Sequence, residues 1–577
     1  MRRITVADYF VEVLIENGVT EVFGYQGGMI AYIFDSLGKY KDRINYHSCG
    51  SEQGAAIAAC SYAQASGKFG VAISTSGPGF TNMLTGMANA WLDSIPVVFI
   101  SGNVNTKDKK RNASFRQLGF QEIQAADIAK NITKKSVEIE LDTDIKACLD
   151  DVIRTAISDR KGPVYIDLPI NVCREYVDVD QVTPVKNSKA ICMEEGIVSC
   201  IEKFLSYNKP VIIAGAGINQ AGCREKFRIL VEKLGIPVVT TMPGIDLLPS
   251  NSAYMMGYIG GTARREAGIV LQNAESVLTL GTRLCSKQIG HNMALFAPNS
   301  EYFVRVDLDD AEFERKPKED EVEIHADVED VITSILSYFE EYSQQEEHEI
   351  WLSACNSVYD LLQEYDMTEG NQFFKDITSV LDEDASIIID VGKNMTYGTQ
   401  SSIIKSQTRM FMSAGLGTMG YAIPAAIGVA CVKKKPVYVF TGDGGAQMNI
   451  QELNTIAKSK LPVKIFVLNN RALGNIRLFQ ESYLDSRFVA TGEREGDYYS
   501  CNFANIAQAY DMKGIVIHNA EEAVADMDLL TNEEPILFEF IYSDCPALPG
   551  IVAGGDFLKE GTGIDVEVID KIKKLMK

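Results

Sequence analysis

TGDGGAQMNIQELNTIAKSKLPVKIFVLNN, residues 441–470, sets a glycine-flanked aspartate after one apolar run and closes on two asparagines after another. The runs PVYVF, just ahead of this stretch, and VKIFVL, inside it, are short and uninterrupted, as strands buried on both faces are. MNIQELNTIAKSK between them reads as a crossover helix, so the unit is strand-helix-strand and belongs to a parallel sheet. Ligands of open parallel sheets sit beyond the C-terminal strand ends. Asp443 and Asn470 are therefore expected at two adjacent strand ends, close together in space.

The same rhythm fills the rest of the 577 residues, a length for which two to four domains are the expectation. Residues 1–180 hold VTEVFGY, VAISTSG, VVFISG and VYIDLP, alternating with helix-period segments such as EQGAAIAACSYAQAS. Residues 190–340 hold PVIIAGAG, IPVVTT, SVLTLG and YFVRVDLD, ending in the acidic ERKPKEDEVEIHADVED. Residues 350–577 hold ASIIIDVG, PVYVFTGDGG, VKIFVLNN and PILFEFI. The expected fold class is α/β, with three doubly wound parallel-sheet domains.

The net charge of −23 opposes nonspecific binding to nucleic acid or to an anionic membrane. Twelve cysteines without a CxxC pair suit reduced thiols and a cytoplasmic location. The N-terminal MRRITVADYFVEVLIENGV carries acidic residues at helical spacing, so it reads as an amphipathic helix and not as a signal peptide. The uncharged run Met410 to Val432 has the length of a membrane span, but its glycines, proline and hydroxyl residues suit a buried loop leading into a packed helix.

A carboxylate, an amide oxygen and a backbone carbonyl are hard ligands, which Mg²⁺ takes while keeping places for phosphate oxygens and water. The glycines of GDGG let backbone N–H groups approach a phosphate, and a following helix N-terminus favours negative charge. Alone, GDGG is a turn and NN a strand-ending loop. Together, each behind a strand, they read as a Mg²⁺-diphosphate site in an otherwise acidic protein.

This pairing resembles the cofactor motif of thiamine diphosphate-dependent enzymes, and the likeness runs nearly end to end, nearest to the acetolactate synthase catalytic-subunit family. It is carried by FGYQGG (23–28), SEQGAA (51–56), TSGPGFTN (75–82), DSIPVVFISG (93–102), FQE (120–122), ITK (132–134), GPVYIDLP (162–169), GLGTMG (415–420) and LPGIVAGGDF (548–557). The resemblance implies that Glu52 hydrogen-bonds the cofactor pyrimidine and promotes loss of the C2 proton. It implies that Met419 bends the cofactor, that the Gly417 carbonyl accepts from the 4′-amino group, and that Asp443, Asn470 and the Ala472 carbonyl hold Mg²⁺. Val391, Gly392, Lys393 and Asn394 match a second diphosphate loop, although the family usually has Gln-His where this chain has Lys393-Asn394. Gly27, Gly442, Gly444, Gly445, Leu473 and Gly474 fall at further cofactor contacts. Phe120, Gln121 and Lys134 match residues near the reacting centre, with a core aromatic, a surface amide and a solvated lysine as open alternatives.

In this family the N-terminal block of one subunit meets the C-terminal block of another, so the resemblance implies a homodimer or homotetramer, and it allows a regulatory subunit. No histidine lies between Asn103 and Glu122, where pyruvate decarboxylase-like relatives place a catalytic pair. That favours carboligation over simple 2-oxo acid decarboxylation. The implied reaction is decarboxylation of a 2-oxo acid, pyruvate foremost, followed by addition of the enamine to a second carbonyl.

The middle block resembles a domain that binds FAD in acetolactate synthases and ADP or nothing in other relatives. GAGI (215–218), GGTAR (260–264), GTR (281–283) and DLDD (307–310) lie where FAD contacts would fall, and such an FAD would be structural because the reaction has no redox step. Gly260 stands in place of the usual histidine. Phe479 replaces a tryptophan of the acceptor pocket, Leu478 a glutamine, Ser51 a histidine and Gln26 a proline. Asn103 to Arg116 forms a basic insertion, and RQLGFQE resembles thiamine diphosphate enzymes of sugar and capsule biosynthesis, which use ketosugar acceptors.

Overall fold

Short runs of three to seven residues, most of them apolar, assemble in this computed structural model into three sheets of six parallel strands. The structure describes residues 2–110, 114–186, 196–338, 345–363, 368–543 and 564–577. Segment 548–557 and the middle of the basic insertion, 111–113, lie outside the described residues.

In spatial order the first sheet runs Asn45–Ser48, Glu21–Gly24, Gly70–Ser74, Val97–Asn103, Val164–Pro169 and Lys135–Glu138. The third runs Arg409–Phe411, Ser386–Ile389, Val437–Gly442, Val463–Asn469, Ile536–Ile541 and Lys513–Ile517, the same topology repeated. The middle sheet runs Met255–Ile259, Val238–Thr241, Pro210–Ala214, Ser276–Leu280, Tyr302–Asp307 and Val322–His325. This middle order, two strands added backward and then three forward from a central one, is that of dinucleotide-binding sheets.

The first and third units pack through two helices rich in small residues, Glu52–Ser66 and Ala422–Lys433. Ser61 Oγ donates to the Ala425 carbonyl at 2.7 Å. A Cβ at Gly428 would lie 2.0 Å from the Ala58 carbonyl oxygen and 2.3 Å from Ser61 Oγ, so only glycine lets the helices approach this closely. The helical part of the uncharged run, from Ala422 onward, is thus interdomain core, and no described helix is long and apolar enough to cross a membrane. Gly428→Val is expected to destabilise the protein by about 1–3 kcal/mol, read as a fall in the urea midpoint; an unchanged midpoint refutes this packing.

Helix Glu346–Gln363 and the final helix Val566–Leu575 lie on the middle sheet, where Trp351, Cys355, Ile569 and Ile572 join a core with Val211, Ile213 and Val277. Trp351 Nε1 donates to the Pro210 carbonyl at 3.1 Å. The chain therefore returns at its end to the second unit.

Candidate cofactor and metal site

Strand register pairs Gly442 with Leu468, which sets Asp443 beside Asn469 just past two neighbouring strand ends, about 4.8 Å apart as adjacent strands are. Asp443 opens the helix Asp443–Met448 and is 3% exposed. Its Oδ2 is buried and, among the described residues, has no hydrogen-bond partner. Burial pushes the carboxyl up to about 6, against the Gly444 amide and the hydroxyls of Tyr498 and Ser500. The next turn is fixed by Asn470 Oδ1, which accepts from the Ala472 amide at 3.2 Å.

Close approaches around Gly444 and Gly474 show which loops converge here. A Cβ at Gly444 would lie 2.6 Å from Met419 Cε and 2.7 Å from Leu473 Cδ2. A Cβ at Gly474 would lie 2.9 Å from Lys393 Cδ and 3.0 Å from Asn470 Nδ2. The loops DVGKN, GLGTMG, GDGG and NNRALG thus meet at one place. An unpartnered buried carboxylate oxygen, on a loop that meets the one carrying Asn470 and Ala472, offers hard oxygen donors that fit Mg²⁺. Lys393 brings a cation to the same loops, which fits a diphosphate.

The two asparagines of NN divide their work. Asn469 Nδ2 donates to Glu539 Oε1 at 2.7 Å, and its Oδ1 accepts from the Arg471 amide and Ser500 Oγ at 3.1 and 2.9 Å. Asn469 thereby holds the loop in place. Neither Glu539 nor Tyr498 carries a motif that sequence reading could use.

Asp390, one position before the predicted loop Val391–Asn394, is the residue that joins these segments. Its Oδ1 accepts from the Val391 and Gly420 amides, both at 2.9 Å, and its Oδ2 from Thr441 Oγ1 at 3.0 Å and the Ala422 amide at 3.3 Å. Asn394, expected at the cofactor, donates its Nδ2 to the Asp390 and Phe440 carbonyls at 2.6 and 3.5 Å, so its amide supports the loop. Burial raises the Asp390 carboxyl from 3.8 to about 6 despite its donors. A carboxyl raised on folding favours the fold below its unfolded pKa, and that contribution is lost as pH rises through the folded one. Relative to Asp390→Asn, the natural protein should lose on the order of 3 kcal/mol between about pH 4 and 6. Parallel stability profiles of the two proteins would refute this.

The second cluster lies at the C-terminal strand ends of the first sheet. Ser51 caps the helix Glu52–Ser66 by accepting from the Gly54 amide at 3.0 Å, and Glu452 accepts from the Gly50 amide and Ser51 Oγ at 2.9 and 3.2 Å. Glu52 accepts from Asn82 Nδ2 at 3.0 Å, and its Oε1 is 3.4 Å from where a Gly79 Cβ would stand. A Cβ at Gly27 would meet Thr75 Cβ at 2.4 Å, and one at Gly77 the Gln121 carbonyl oxygen at 2.8 Å. Gln121 takes a left-handed φ of 65° to make that approach. Glu52, Gly27 and Gln121 are thereby gathered around residues 75–79, with Phe120 beside them and 78% exposed. Glu122 ties the basic insertion to this corner, accepting from the amides of Lys110, Leu118 and Gly119 at 2.6, 2.8 and 3.2 Å.

Lys134 is not brought to that corner within the chain. Its amide donates to the Pro163 carbonyl and its Nζ to the Ser158 carbonyl, both at 2.8 Å, ahead of the strand Lys135–Glu138. The far end of that strand, Glu138, is in register with Asp167, Ser101 and Ser74, so Lys134, four residues back and three strands across, lies on the order of 20 Å from that corner, at the opposite end of the sheet. Its amine, lowered by burial, faces Asp159 and Asp309.

The middle sheet tests the FAD expectation. A cavity of about 250 Å³ opens where the three units meet, lined by Gly217, Gly281, Arg283 and Asp307 together with Asp93 and Phe411. That volume falls below the roughly 300–1,000 Å³ of pockets for drug-sized ligands. A Cβ at Gly215 would lie 2.1 Å from the Gly281 carbonyl oxygen, so these glycines serve to pack one loop on another. Arg264 is engaged by Glu266 and the Leu362 carbonyl at 2.9 and 3.0 Å and lines a separate hollow of about 20 Å³. Gln288 lines both hollows, so GGTAR borders the cavity that the other three segments line, and the cavity as it stands is too small for FAD.

Comparison with known proteins agrees with this division of the chain. Residues 4–128, 197–335 and 390–540 match, in turn, the N-terminal TPP binding, central and C-terminal TPP binding domains of thiamine pyrophosphate enzymes, named for the same compound as thiamine diphosphate. The chain is 32% identical over 558 residues to the acetolactate synthase large subunit of Lactococcus lactis, with 94% of each chain covered. It is 31% identical over 591 residues to the probable acetolactate synthase large subunit of Methanocaldococcus jannaschii, covering 98% of this chain and 96% of that one. The acetolactate synthase isozyme 2 large subunit of Escherichia coli is 28% identical over 530 residues, with 92% and 93% covered.

Proposed function

This chain belongs to the family of thiamine pyrophosphate enzymes, and on that premise we propose that it is a Mg²⁺-dependent carboligase. It would decarboxylate a 2-oxo acid, pyruvate foremost, and join the remaining two-carbon unit to a second carbonyl, as the names of its relatives suggest. The observation that carries the reading is the unpartnered buried oxygen of Asp443 among the loops of Asn470, Ala472 and Lys393.

When bound, thiamine diphosphate supplies an acidic C–H group and an electron sink. Asp443, Asn470 and the Ala472 carbonyl would hold Mg²⁺. Gly442, Gly444, Gly445 and Lys393 would receive the diphosphate, and Gly417, Met419 and Leu473 would shape the space between the rings. Glu52 would hold a proton at its carboxylate against the pyrimidine. Gln121 and Phe120 would border the substrates and exclude water. FAD takes no part in this reading.

Glu52 and Asp443 lie on different units, and exposed apolar side chains flank both clusters: Phe120, Leu416, Met448, Leu478 and Phe479. Patches of this kind mark protein–protein contacts, so a second copy of the chain is the proposed partner that completes the site. The free thiols of the described cysteines suit a cytoplasmic location.

A second reading concerns the acceptor. Exposed Lys107 and Arg116 lie on the insertion that Glu122 ties beside Gln121, and their charge suits an anionic acceptor such as a nucleotide-linked ketosugar. Mass spectrometry of pyruvate-derived products in a mixture of pyruvate, 2-oxobutyrate, small aldehydes and such ketosugars separates the cases. Acetohydroxy acids support the first reading, a sugar adduct alone the second, and free acetaldehyde alone overturns both.

A further inference from the structure

Away from the cofactor loops, three donors of different chemistry meet between the first and third units. Glu21 opens the strand Glu21–Gly24, and His47 lies on the neighbouring strand Asn45–Ser48. The register pairs Phe23 with His47, so Glu21, Phe23 and His47 share one face of the sheet. Cys431 arrives from the last turn of Ala422–Lys433, in the C-terminal unit. Its Sγ lies 3.4 Å from His47 Nε2, which in turn lies 2.7 Å from Glu21 Oε2. All three donor atoms fall within 4.8 Å of one another.

The cluster is also held in place. Glu21 and Cys431 are buried, and the imidazole stacks on Phe23 at 5.3 Å with 21° between the rings. Asn45 Nδ2 donates to Glu21 Oε1 at 3.1 Å, which leaves Oε2 to the cluster. Carboxylate, imidazole and thiolate together are the donors of zinc-class ions, bound at about 2.0–2.3 Å. Donors around such an ion stand roughly 3.3–3.8 Å from each other in a tetrahedron. The Cys431–His47 separation is already of that size, and Glu21 has to withdraw from His47 by less than the length of a bond. The Asp443 site, all oxygen, selects the harder Mg²⁺.

We propose that Glu21, His47 and Cys431 bind a divalent cation of the Zn²⁺ class, with water in the fourth position, and that this ion staples the N-terminal unit to the C-terminal unit. The thiol proton passes to solvent as the sulfur–metal bond forms. No step of the proposed reaction uses these residues, so the site is tested apart from activity.

The test uses the full-length protein loaded with thiamine diphosphate and excess Mg²⁺, depleted of other metals by chelation and then titrated with Co²⁺. A thiolate-to-cobalt charge-transfer band in the near ultraviolet is expected, reversed by Zn²⁺. Cobalt that displaces Mg²⁺ at the oxygen site gives no such band. Cys431→Ser should abolish the band and Cys148→Ser should keep it. His47→Gln should weaken Co²⁺ binding by at least the roughly 10- to 100-fold that losing an outer-shell partner costs, and it serves as the test should Cys431→Ser not fold. Absence of the band from the natural protein, or its survival in Cys431→Ser, would show a hydrogen-bonded domain contact only and overturn the proposal.

Discussion

Glu52→Gln is expected to lower 2-oxo acid turnover by on the order of 10²- to 10⁴-fold, the range for removing a positioned proton-transfer group, while thiamine diphosphate and Mg²⁺ stay bound. The substitution keeps the shape of the side chain, and a glutamine oxygen can still accept from Asn82 Nδ2, now at 3.0 Å from the carboxylate. It also keeps the start of the helix, since that turn is capped by Ser51 and Glu452. What it removes is the acid–base capacity of the carboxyl group. The diphosphate end, built from residues of the third unit, is untouched. Turnover is read as pyruvate consumption and binding by calorimetry. Full turnover would sink the role given to Glu52, and loss of bound cofactor would move that role from chemistry to binding.

The parts of the molecule that were legible in the sequence are those that short stretches determine. A run such as VKIFVL must be a strand buried on both faces, and a turn of Gly-Asp-Gly-Gly directly after another such run must lie at a strand end. Three parallel sheets follow from repeating that rule. Asp390 and Glu539 were not legible, because a buried carboxylate is defined by donors distant in sequence: Gly420, Ala422 and Thr441 in one case, Asn469 and Ala504 in the other. ITK marked Lys134 by its neighbours in the chain, but motif order does not say at which edge of the sheet a residue stands. The resemblance of the middle unit implied FAD contacts at GAGI and GTR, whereas the contact of Gly215 with Gly281 is a packing of one loop on another. The return of Val566–Leu575 to the middle sheet is likewise a choice of partner, and helical periodicity gives a face without naming what covers it.

Asp443→Asn should move two measurements in opposite directions. With Mg²⁺ and thiamine diphosphate present, replacing the carboxylate by an amide removes the one formal charge among the three proposed metal ligands. Losing one partner of a buried charged contact costs about 2–5 kcal/mol, a fall in affinity of roughly 30- to 4,000-fold. Without metal, the same carboxylate is a burden: Oδ2 is buried with no hydrogen-bond partner among the described residues, and burial raises the group from 3.8 to about 6. A carboxyl raised in this way stabilises the fold below its unfolded pKa and loses that contribution as pH climbs through about 6. At pH 7 the metal-free natural protein therefore carries an ionised group that the variant lacks, and Asp443→Asn should be more stable by on the order of 1–3 kcal/mol. Near pH 4 that advantage should vanish. Urea unfolding of the metal-free proteins at the two pH values, beside calorimetric titration with Mg²⁺ and cofactor, reads both effects. A variant that binds metal and cofactor like the natural protein would remove Asp443 from the metal site. One that loses binding and also loses metal-free stability would mean that Asp443 holds the loop in shape and does not wait for a cation.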